Sequence, residues 1–229
     1  MLRSELRRRS VRSVMISCVH RRNTERPRTL DQLANAGLNP VVIESACDPA
    51  GGPLNRLAAY QALQVLGSDG GLFFEDDIDV NAALFTKVID LVVPLSKVTT
   101  LFVPKRWSLH PTEVLTALAG RTPIPLRVLP LVNTRERRGF YGTQAMYLPG
   151  DFVLSALRCR NDFMTPDGLP LSSCDGFDFW IKEHAQEIYG AFPNPVQHRN
   201  PPKMRSVTRG MDASQGQNHT SLTFGWEVA

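Results

Sequence analysis

The chain has 229 residues, of which 42% are hydrophobic and 21% are charged, and its formal net charge is +4. These values are ordinary for a globular protein and leave room for one sizeable α/β domain. No apolar run in the sequence is long enough to span a membrane. The mild positive charge does not by itself establish nucleic-acid binding.

The N-terminus is basic over Met1–Arg12 but is not followed by a signal-peptide pattern, because the apolar stretch Val14–Val19 is too short for one. We therefore expect an intracellular, cytoplasmic protein. The four cysteines show no close paired spacing, which favours free thiols in a reducing compartment over a disulfide framework or a zinc site. They are Cys18, Cys47, Cys159 and Cys174.

The first third of the chain alternates predicted strands and helices. Val11–Val19 is a strand, and a helix begins near Pro27–Thr29 and ends at Gly37. Val41–Ile43 is a second strand, expected beside the first, and an amphipathic helix covers Leu54–Leu66. This order is typical of a nucleotide-binding α/β half-domain.

The stretch that follows combines a short apolar strand with a group of acids. Gly71–Phe74 continues directly into the acidic string, whose carboxylates belong to Glu75, Asp76, Asp77 and Asp79. Acids at the end of a buried strand lie at the carboxyl edge of a sheet, where open α/β folds bind ligands. Crowded carboxylates resist ionisation, and a hard cation such as Mg²⁺ or Mn²⁺ relieves that repulsion. The alternative is a solvated acidic turn.

The remaining elements are less regular. We predict helices over Ala82–Leu91 (ended by Pro94), Thr112–Leu118, Gly150–Arg158 and Gly176–Ala185, and strands over Thr99–Val103, Phe140–Leu148 and Ile188–Phe192. The predicted fold is α/β, with a mixed, mostly parallel sheet flanked by helices. The predicted organisation is a basic arm over residues 1–10, one domain over 11–202 and a flexible tail over 203–229. Residues 104–131 are an excursion expected to contribute to an acceptor site.

Three motifs, in order, resemble GT-A nucleotide-sugar glycosyltransferases, and most closely the lipopolysaccharide and collagen-type group called glycosyltransferase family 25. They are Phe73–Asp77 (similar to an acidic metal motif), Gly142–Leu148 (similar to a Gly-Thr-x-x-Tyr-Leu strand) and Pro195–His198 (similar to a closing Val-Gln-His segment). The chain departs from the family in two places. Asn55–Leu66 lacks the Gly-Cys-x-x-Ser-His pattern of the lipopolysaccharide enzymes, and Pro104–Leu131 matches no part of the family pattern.

The resemblance implies a role for each candidate site residue. The metal ligands would be Asp77 and His198, with Asp79 as a substitute, and the cofactor would be Mn²⁺ or Mg²⁺. The residues assigned to the donor, expected to be a UDP-sugar, are Val19, His20, Arg21, Asp48, Arg56, Glu75 and Asp76. The general base of an inverting enzyme would be Asp178, or else Asp175. The alternatives are a loop histidine for His198 and helix-capping acids for Asp175 and Asp178.

The acceptor and the stereochemistry stay open at this point. A glycan such as lipopolysaccharide is the first acceptor class, and a hydroxymethylated base in DNA is the second, because arginine matches phosphate well. A nucleotidyltransferase is an alternative enzyme class, but it would need a glycine-rich loop where His20–Asn23 stands. A non-catalytic nucleic-acid-binding protein would need basic and aromatic residues on one element, and the sequence has no such element.

Overall fold

The computed structural model describes residues 11–18, 25–45, 54–105, 107–135, 143–168, 177–199, 221 and 223–226. The helices of this part of the chain are α1 (Glu25–Asn35), α2 (Leu54–Leu66), α3 (Ala82–Leu95), α4 (Thr112–Gly120), α5 (Gly150–Arg158) and α6 (Phe177–His184). The strands are β1 (Ser13–Cys18), β2 (Val41–Ser45), β3 (Gly70–Glu75), β4 (Ile78–Val80), β5 (Thr99–Thr100), β6 (Arg127–Pro130), β7 (Ala145–Pro149), β8 (Tyr189–Phe192) and β9 (Val196–His198).

The main sheet has seven strands in the order β2-β1-β3-β7-β5-β8-β6. Strand β1 is parallel to both β2 and β3, and β5 is parallel to β8. Strands β7 and β6 run against their neighbours. Five strands therefore point the same way, which confirms the predicted mixed, mostly parallel α/β sheet. The carboxyl ends of β1, β2 and β3 lie side by side, as the site prediction requires.

Helices cover both faces of the sheet, because alternate residues of each buried strand point to opposite sides. On one face, Val14 and Phe73 pack with side chains of α2, α5 and α6. On the other face, Met15 and Phe74 pack with side chains of α1 and α3. Strand β3 thus contributes side chains to the hydrophobic core on each face of the sheet. For this reason Leu72, Phe73 and Phe74 are all buried although they are consecutive.

A second, two-stranded sheet extends from the carboxyl edge. Strands β4 and β9 pair in antiparallel register, with Ile78 opposite His198 and Val80 opposite Val196. The chain enters β4 directly after Asp77 and enters β9 directly after Pro195. We call these two strands, Ile78–Val80 and Val196–His198, the ribbon. The ribbon fixes where Asp77 stands relative to the C-terminal part of the described chain.

Two glycines begin β3 at a point where a side chain would not fit. Gly70 has φ +66°, and a Cβ there would lie 2.4 Å from the carbonyl oxygen of Leu148. Gly71 has φ +152°, and a Cβ there would lie 2.2 Å from the carbonyl oxygen of Arg12. The absence of side chains lets β3 begin close to both neighbouring segments of the chain.

The predicted boundaries differ from the structure at several elements. Helix α1 begins at Glu25, ahead of the predicted Pro27–Thr29 start, and Pro27 lies in its first turn, where its missing N–H costs little. Helix α3 continues past Pro94 to Leu95 and ends at Ser96, which has φ +53°. Pro94 therefore lies inside the last turn and does not end the helix where the sequence predicted.

Strand β5 is much shorter than the predicted Thr99–Val103. The Thr100 hydroxyl donates to the Phe102 carbonyl (2.6 Å) and accepts from the Phe102 amide (3.1 Å). This local turn competes with the ladder and ends the strand after Thr100. Strands β6 and β9 were not predicted as strands, and β6 gives the 104–131 excursion a structural role as an edge of the main sheet.

Part of the predicted tail packs against the domain. Thr223 is fully buried, and its hydroxyl donates to Asn194 Oδ1 at 2.9 Å. The Ser221 hydroxyl also donates to Asn194, and Ser221 forms an isolated bridge with Pro104. Among the helices of the described ranges, none combines the length and the apolar character needed to cross a bilayer.

Candidate functional site

Asp76 is held at the carboxyl edge by the end of the first strand. Its Oδ2 accepts a hydrogen bond from the Ser17 hydroxyl at 2.8 Å, and its side chain is almost completely buried. The two residues meet because β1 and β3 are parallel, with Ile16 paired with Glu75. Asp76 was predicted as a donor-binding residue, and this contact orients its carboxylate from within the fold.

Arg26 links this contact to the second strand, and the sequence prediction missed it. Its Nε donates to the Ser17 hydroxyl at 2.7 Å, and its Nη1 lies 2.8 Å from Glu44 Oε1. The guanidinium thus lies between the ends of β1 and β2 and places a positive charge beside the buried Asp76. Ser17 had a detectable signal, as a polar residue at the end of an apolar strand, whereas Arg26 was one of many arginines.

Asp77 and His198 meet at the start of the ribbon. His198 Nε2 lies 3.3 Å from Asp77 Oδ2, and the two side chains are only 12% and 6% exposed. The register of the ribbon brings them together, because Ile78 pairs with His198 and Asp77 directly precedes Ile78. The structure therefore brings together the two residues that were predicted as metal ligands. Their contact is an ion pair when His198 is protonated.

The backbone around Asp77 is fixed by buried side chains. The Thr29 hydroxyl donates to the Asp76 carbonyl at 2.6 Å, and the Arg199 amide donates to the Asp77 carbonyl at 2.6 Å. The Arg199 guanidinium donates to the Ile78 carbonyl and to Glu25. These contacts fix the main chain that positions the carboxylates of Asp76 and Asp77. The acidic turn is therefore buried and ordered by its contacts, unlike the solvated acidic turn that was the alternative expectation.

Asp79 lies in a different set of contacts. Its Oδ1 is 2.8 Å from Arg28 Nη2, 3.1 Å from Arg199 Nε and 3.2 Å from Gln32 Nε2. Two guanidinium groups therefore already neutralise this carboxylate. The structure joins Asp79 to helix α1 and to the end of the ribbon, and its assignment as a substitute metal ligand stays a prediction.

Glu75 lies at the end of β3 and Asp178 lies in the first turn of α6, and α6 packs on β3. Glu75 Oε1 accepts from the Thr143 hydroxyl at 2.8 Å. Phe177, the first residue of α6, contacts Phe73 of β3 with ring centroids 5.3 Å apart. The half-buried Asp178 follows Phe177, so the first turn of α6 lies against the strand that leads to the acidic turn. The predicted general base, Asp178, therefore lies in the first turn of a helix that packs on β3.

Arg56 lies in the first turn of α2 and contacts the turn that follows α5. Its Nη1 donates to the Asp162 carbonyl at 2.8 Å, which fixes it on the turn after α5. Its donor-binding role stays a prediction. The other predicted site residues lie outside the described residues, and they are Val19, His20, Arg21, Asp48 and Asp175.

Comparison with known proteins finds similarity to solved structures. No protein-family model matches the chain, and no curated protein matches it. The solved structure described as "Crystal Structure of A197 from STIV" is similar over 88% of this chain and 95% of its own, with 12% sequence identity and a TM-score of 0.46. A likeness at this level supports no argument about activity, so the functional reasoning rests on the residues of the site.

Proposed function

We propose that this protein is a metal-dependent glycosyltransferase that moves a sugar from a nucleotide-sugar donor to an acceptor hydroxyl. The observation that supports the proposal is the buried contact between Asp77 and His198 at the carboxyl edge of a mixed α/β sheet. This is the edge at which open α/β folds bind nucleotides. The resemblance of the acidic string and of the Val-Gln-His segment to family 25 enzymes supports the same conclusion.

The donor atoms of this pair suit a divalent cation. A carboxylate oxygen and an imidazole nitrogen are both ligands of Mn²⁺, and carboxylate oxygen is the preferred ligand of Mg²⁺. Two atoms that bind one cation at about 2.1 Å lie about 3.0 Å apart in octahedral geometry and about 3.4 Å apart in tetrahedral geometry. The observed separation of 3.3 Å between His198 Nε2 and Asp77 Oδ2 falls within that interval.

The proposed reaction breaks one bond and forms another at the anomeric carbon. The acceptor oxygen bonds to that carbon, the bond to the β-phosphate oxygen breaks, and its electron pair leaves with the nucleoside diphosphate. Asp77 and His198 would hold a divalent cation, and that cation would offset the negative charge that develops on the leaving diphosphate. In an inverting reaction, the acceptor proton passes to a carboxylate, for which we propose Asp178, with Asp175 as the second candidate.

The buried acid and its neighbours would orient the donor. Ser17 and Arg26 hold Asp76 in place, so its carboxylate needs no rearrangement before a ligand binds. Glu75 is fixed in the same way by Thr143. We propose that these two acids hold the ribose or orient the cation, and that the donor is a UDP-sugar. The acceptor is proposed as a glycan, with modified DNA as the second class.

The test measures nucleotide binding that depends on a metal. Thermal unfolding is followed with UDP, GDP or CMP, each with and without Mn²⁺, because a ligand that binds only the folded state raises the unfolding temperature. We expect one nucleoside diphosphate to stabilise the protein only with Mn²⁺. Asp77→Asn and His198→Gln should remove this effect, whereas Asp31→Asn, an exposed acid on α1, should keep it.

Release of UDP from UDP-sugars should be abolished by EDTA and restored by Mn²⁺. Asp178→Asn should reduce sugar transfer while the metal-dependent stabilisation by nucleotide remains. Stabilisation by nucleotide without any metal, or the same metal-dependent stabilisation in a folded Asp77→Asn protein, would contradict the proposal. Binding of DNA without any nucleotide effect would favour the non-catalytic alternative, and stabilisation only by nucleoside triphosphates would favour a nucleotidyltransferase.

A further inference from the structure

A second cluster of potential metal ligands lies in the helical layer formed by α2, α5 and α6. Cys159 follows α5, Asp162 ends the short 3-10 turn Arg160–Asp162, and His184 ends α6. One ligand atom from each of the three residues lies within 4.8 Å of those from the other two. The three side chains therefore converge on one point although they come from separate elements.

The donor set is that of a zinc site with an open position. Zinc binds thiolate sulfur, imidazole nitrogen and carboxylate oxygen, and sites with three protein ligands leave the fourth position to water or an external ligand. His184 Nε2 lies 3.4 Å from Asp162 Oδ2. Two ligands that share a tetrahedral Zn²⁺ at about 2.1 Å are separated by about 3.4 Å, so this pair already has the required spacing.

Trp180 orients two of the three ligands. Its indole Nε1 donates to Asp162 Oδ2 at 3.0 Å. Its backbone carbonyl lies 2.8 Å from His184 Nδ1, and because a carbonyl only accepts, Nδ1 holds a proton. Nε2 is therefore the ring nitrogen that faces the Asp162 carboxylate. Histidines that bind metals are commonly oriented by such a hydrogen bond from the other ring nitrogen.

Further contacts fix the cluster against the protein. The indole of Trp180 stacks on the imidazole of His184 with centroids 4.0 Å apart and planes 12° apart. Arg56 donates to the Asp162 carbonyl, and the Asp162 amide donates to the Cys159 carbonyl at 2.9 Å. Cys159 is a half-buried free thiol, so its sulfur is not occupied by a disulfide and is available as a ligand for zinc.

We propose that Cys159, Asp162 and His184 bind a zinc ion that joins the end of α5 to the end of α6. Their ligand atoms lie within 4.8 Å of one another, close enough to share one cation. The adjacent thiol adds a sulfur to the imidazole nitrogen and the carboxylate oxygen, and zinc binds all three kinds of ligand. The site is independent of the Asp77–His198 pair, which contains no sulfur.

The test follows Co²⁺, a spectroscopic substitute for Zn²⁺, in the full chain. The protein is reduced, treated with chelator, freed of it and titrated with Co²⁺. We expect a thiolate-to-cobalt charge-transfer band and visible bands of tetrahedral cobalt, both lost when Zn²⁺ is added. Cys159→Ser should lose the charge-transfer band, and His184→Gln should bind at least about 10-fold more weakly.

Controls separate this site from other metal binding. Asp167→Asn, an exposed acid in the loop that follows the turn, should bind cobalt like the unaltered protein. Asp77→Asn should keep the charge-transfer band, so failure of one site does not imply failure of the other. Circular dichroism without metal shows whether each variant is folded, and the conservative Cys159→Ser serves if His184→Gln does not fold. A charge-transfer band that persists in Cys159→Ser, or Zn²⁺ binding of equal affinity in that variant, would overturn the proposal.

Discussion

Two places in the described part of the chain bring a histidine next to an aspartate, and they differ in what holds the side chains. At the ribbon, His198 and Asp77 are 3.3 Å apart and nearly buried, at 12% and 6% exposure. In the helical layer, His184 and Asp162 are 3.4 Å apart, but they are 36% and 42% exposed. The distances are almost equal, so distance alone does not distinguish the two pairs.

The difference lies in the supporting structure. Strand pairing and a buried arginine fix the backbone on both sides of Asp77, and the ribbon register then determines where His198 stands. In the other pair, one side chain, Trp180, contacts both the carboxylate and the imidazole. A ligand pair can therefore be preorganised either by main-chain pairing or by one aromatic residue. The two arrangements should respond to different substitutions.

The largest expected effect is on the ribbon. Arg199→Met removes a guanidinium that is 8% exposed and leaves the carboxylates of Glu25 and Asp79 without this partner. Loss of one member of a buried ion-pair network costs about 3–5 kcal/mol, and we expect the free energy of unfolding in urea to fall by that amount.

The control is Arg28→Met, because Arg28 contacts the same Asp79 carboxylate but is 58% exposed. Its loss should cost less than about 1 kcal/mol. Cobalt binding at Cys159 should be unchanged in either folded variant. If the two substitutions lowered the free energy of unfolding equally, the difference in burial between Arg199 and Arg28 would not determine their contributions to stability. The buried arginine would then not be what distinguishes the ribbon.

A smaller effect is expected at the helical layer. Trp180→Phe keeps an aromatic ring against His184 but removes the indole N–H that orients Asp162. Loss of an orienting hydrogen bond typically weakens metal binding about 10–100-fold, which a cobalt titration measures directly. Trp226→Phe is the matched control, because its indole donates to the Thr122 carbonyl elsewhere on the surface. A Trp180→Phe protein with unaltered cobalt affinity would show that the indole does not position the ligands.

The smallest effect is expected in the sheet, away from both pairs. Burial, and to a lesser degree the negative charge of Asp151, raises the pKa of Tyr147 above its ordinary value of 10.0. The folded state therefore favours the neutral phenol. This contribution is complete below pH 10 and is lost as the pH rises from 10 through the raised pKa, because the unfolded state loses its proton first.

The unfolding free energy of the unaltered protein should therefore fall relative to that of Tyr147→Phe above pH 10, as measured by urea unfolding across the pH range. His198→Gln and His184→Gln should not change this alkaline difference, which separates a property of the sheet from properties of the two sites. Parallel stability curves for the unaltered protein and Tyr147→Phe would show that the phenol does not titrate differently in the two states.

Local sequence patterns predicted the buried strands and the long helices well. The consecutive apolar residues of β3 indicated burial on both faces, and the apolar spacing of Leu54–Leu66 gave the bounds of α2 as the structure has them. Short elements were missed, because the three residues of β9 have too little pattern to distinguish a strand from a loop. The ladder with β4 decides their conformation.

The sequence alone determined that this is an α/β protein with several carboxylates at the end of a buried strand, since polarity along a strand depends on neighbours in the chain. Only the tertiary structure decided which of those carboxylates meets a histidine, which is neutralised by arginines and which is bound by a serine. The same is true of the partners of Cys159, because the four cysteines show no close paired spacing in the sequence. Such contacts join residues that are far apart in sequence, and their distances are set by helix packing and strand register, which no local pattern encodes.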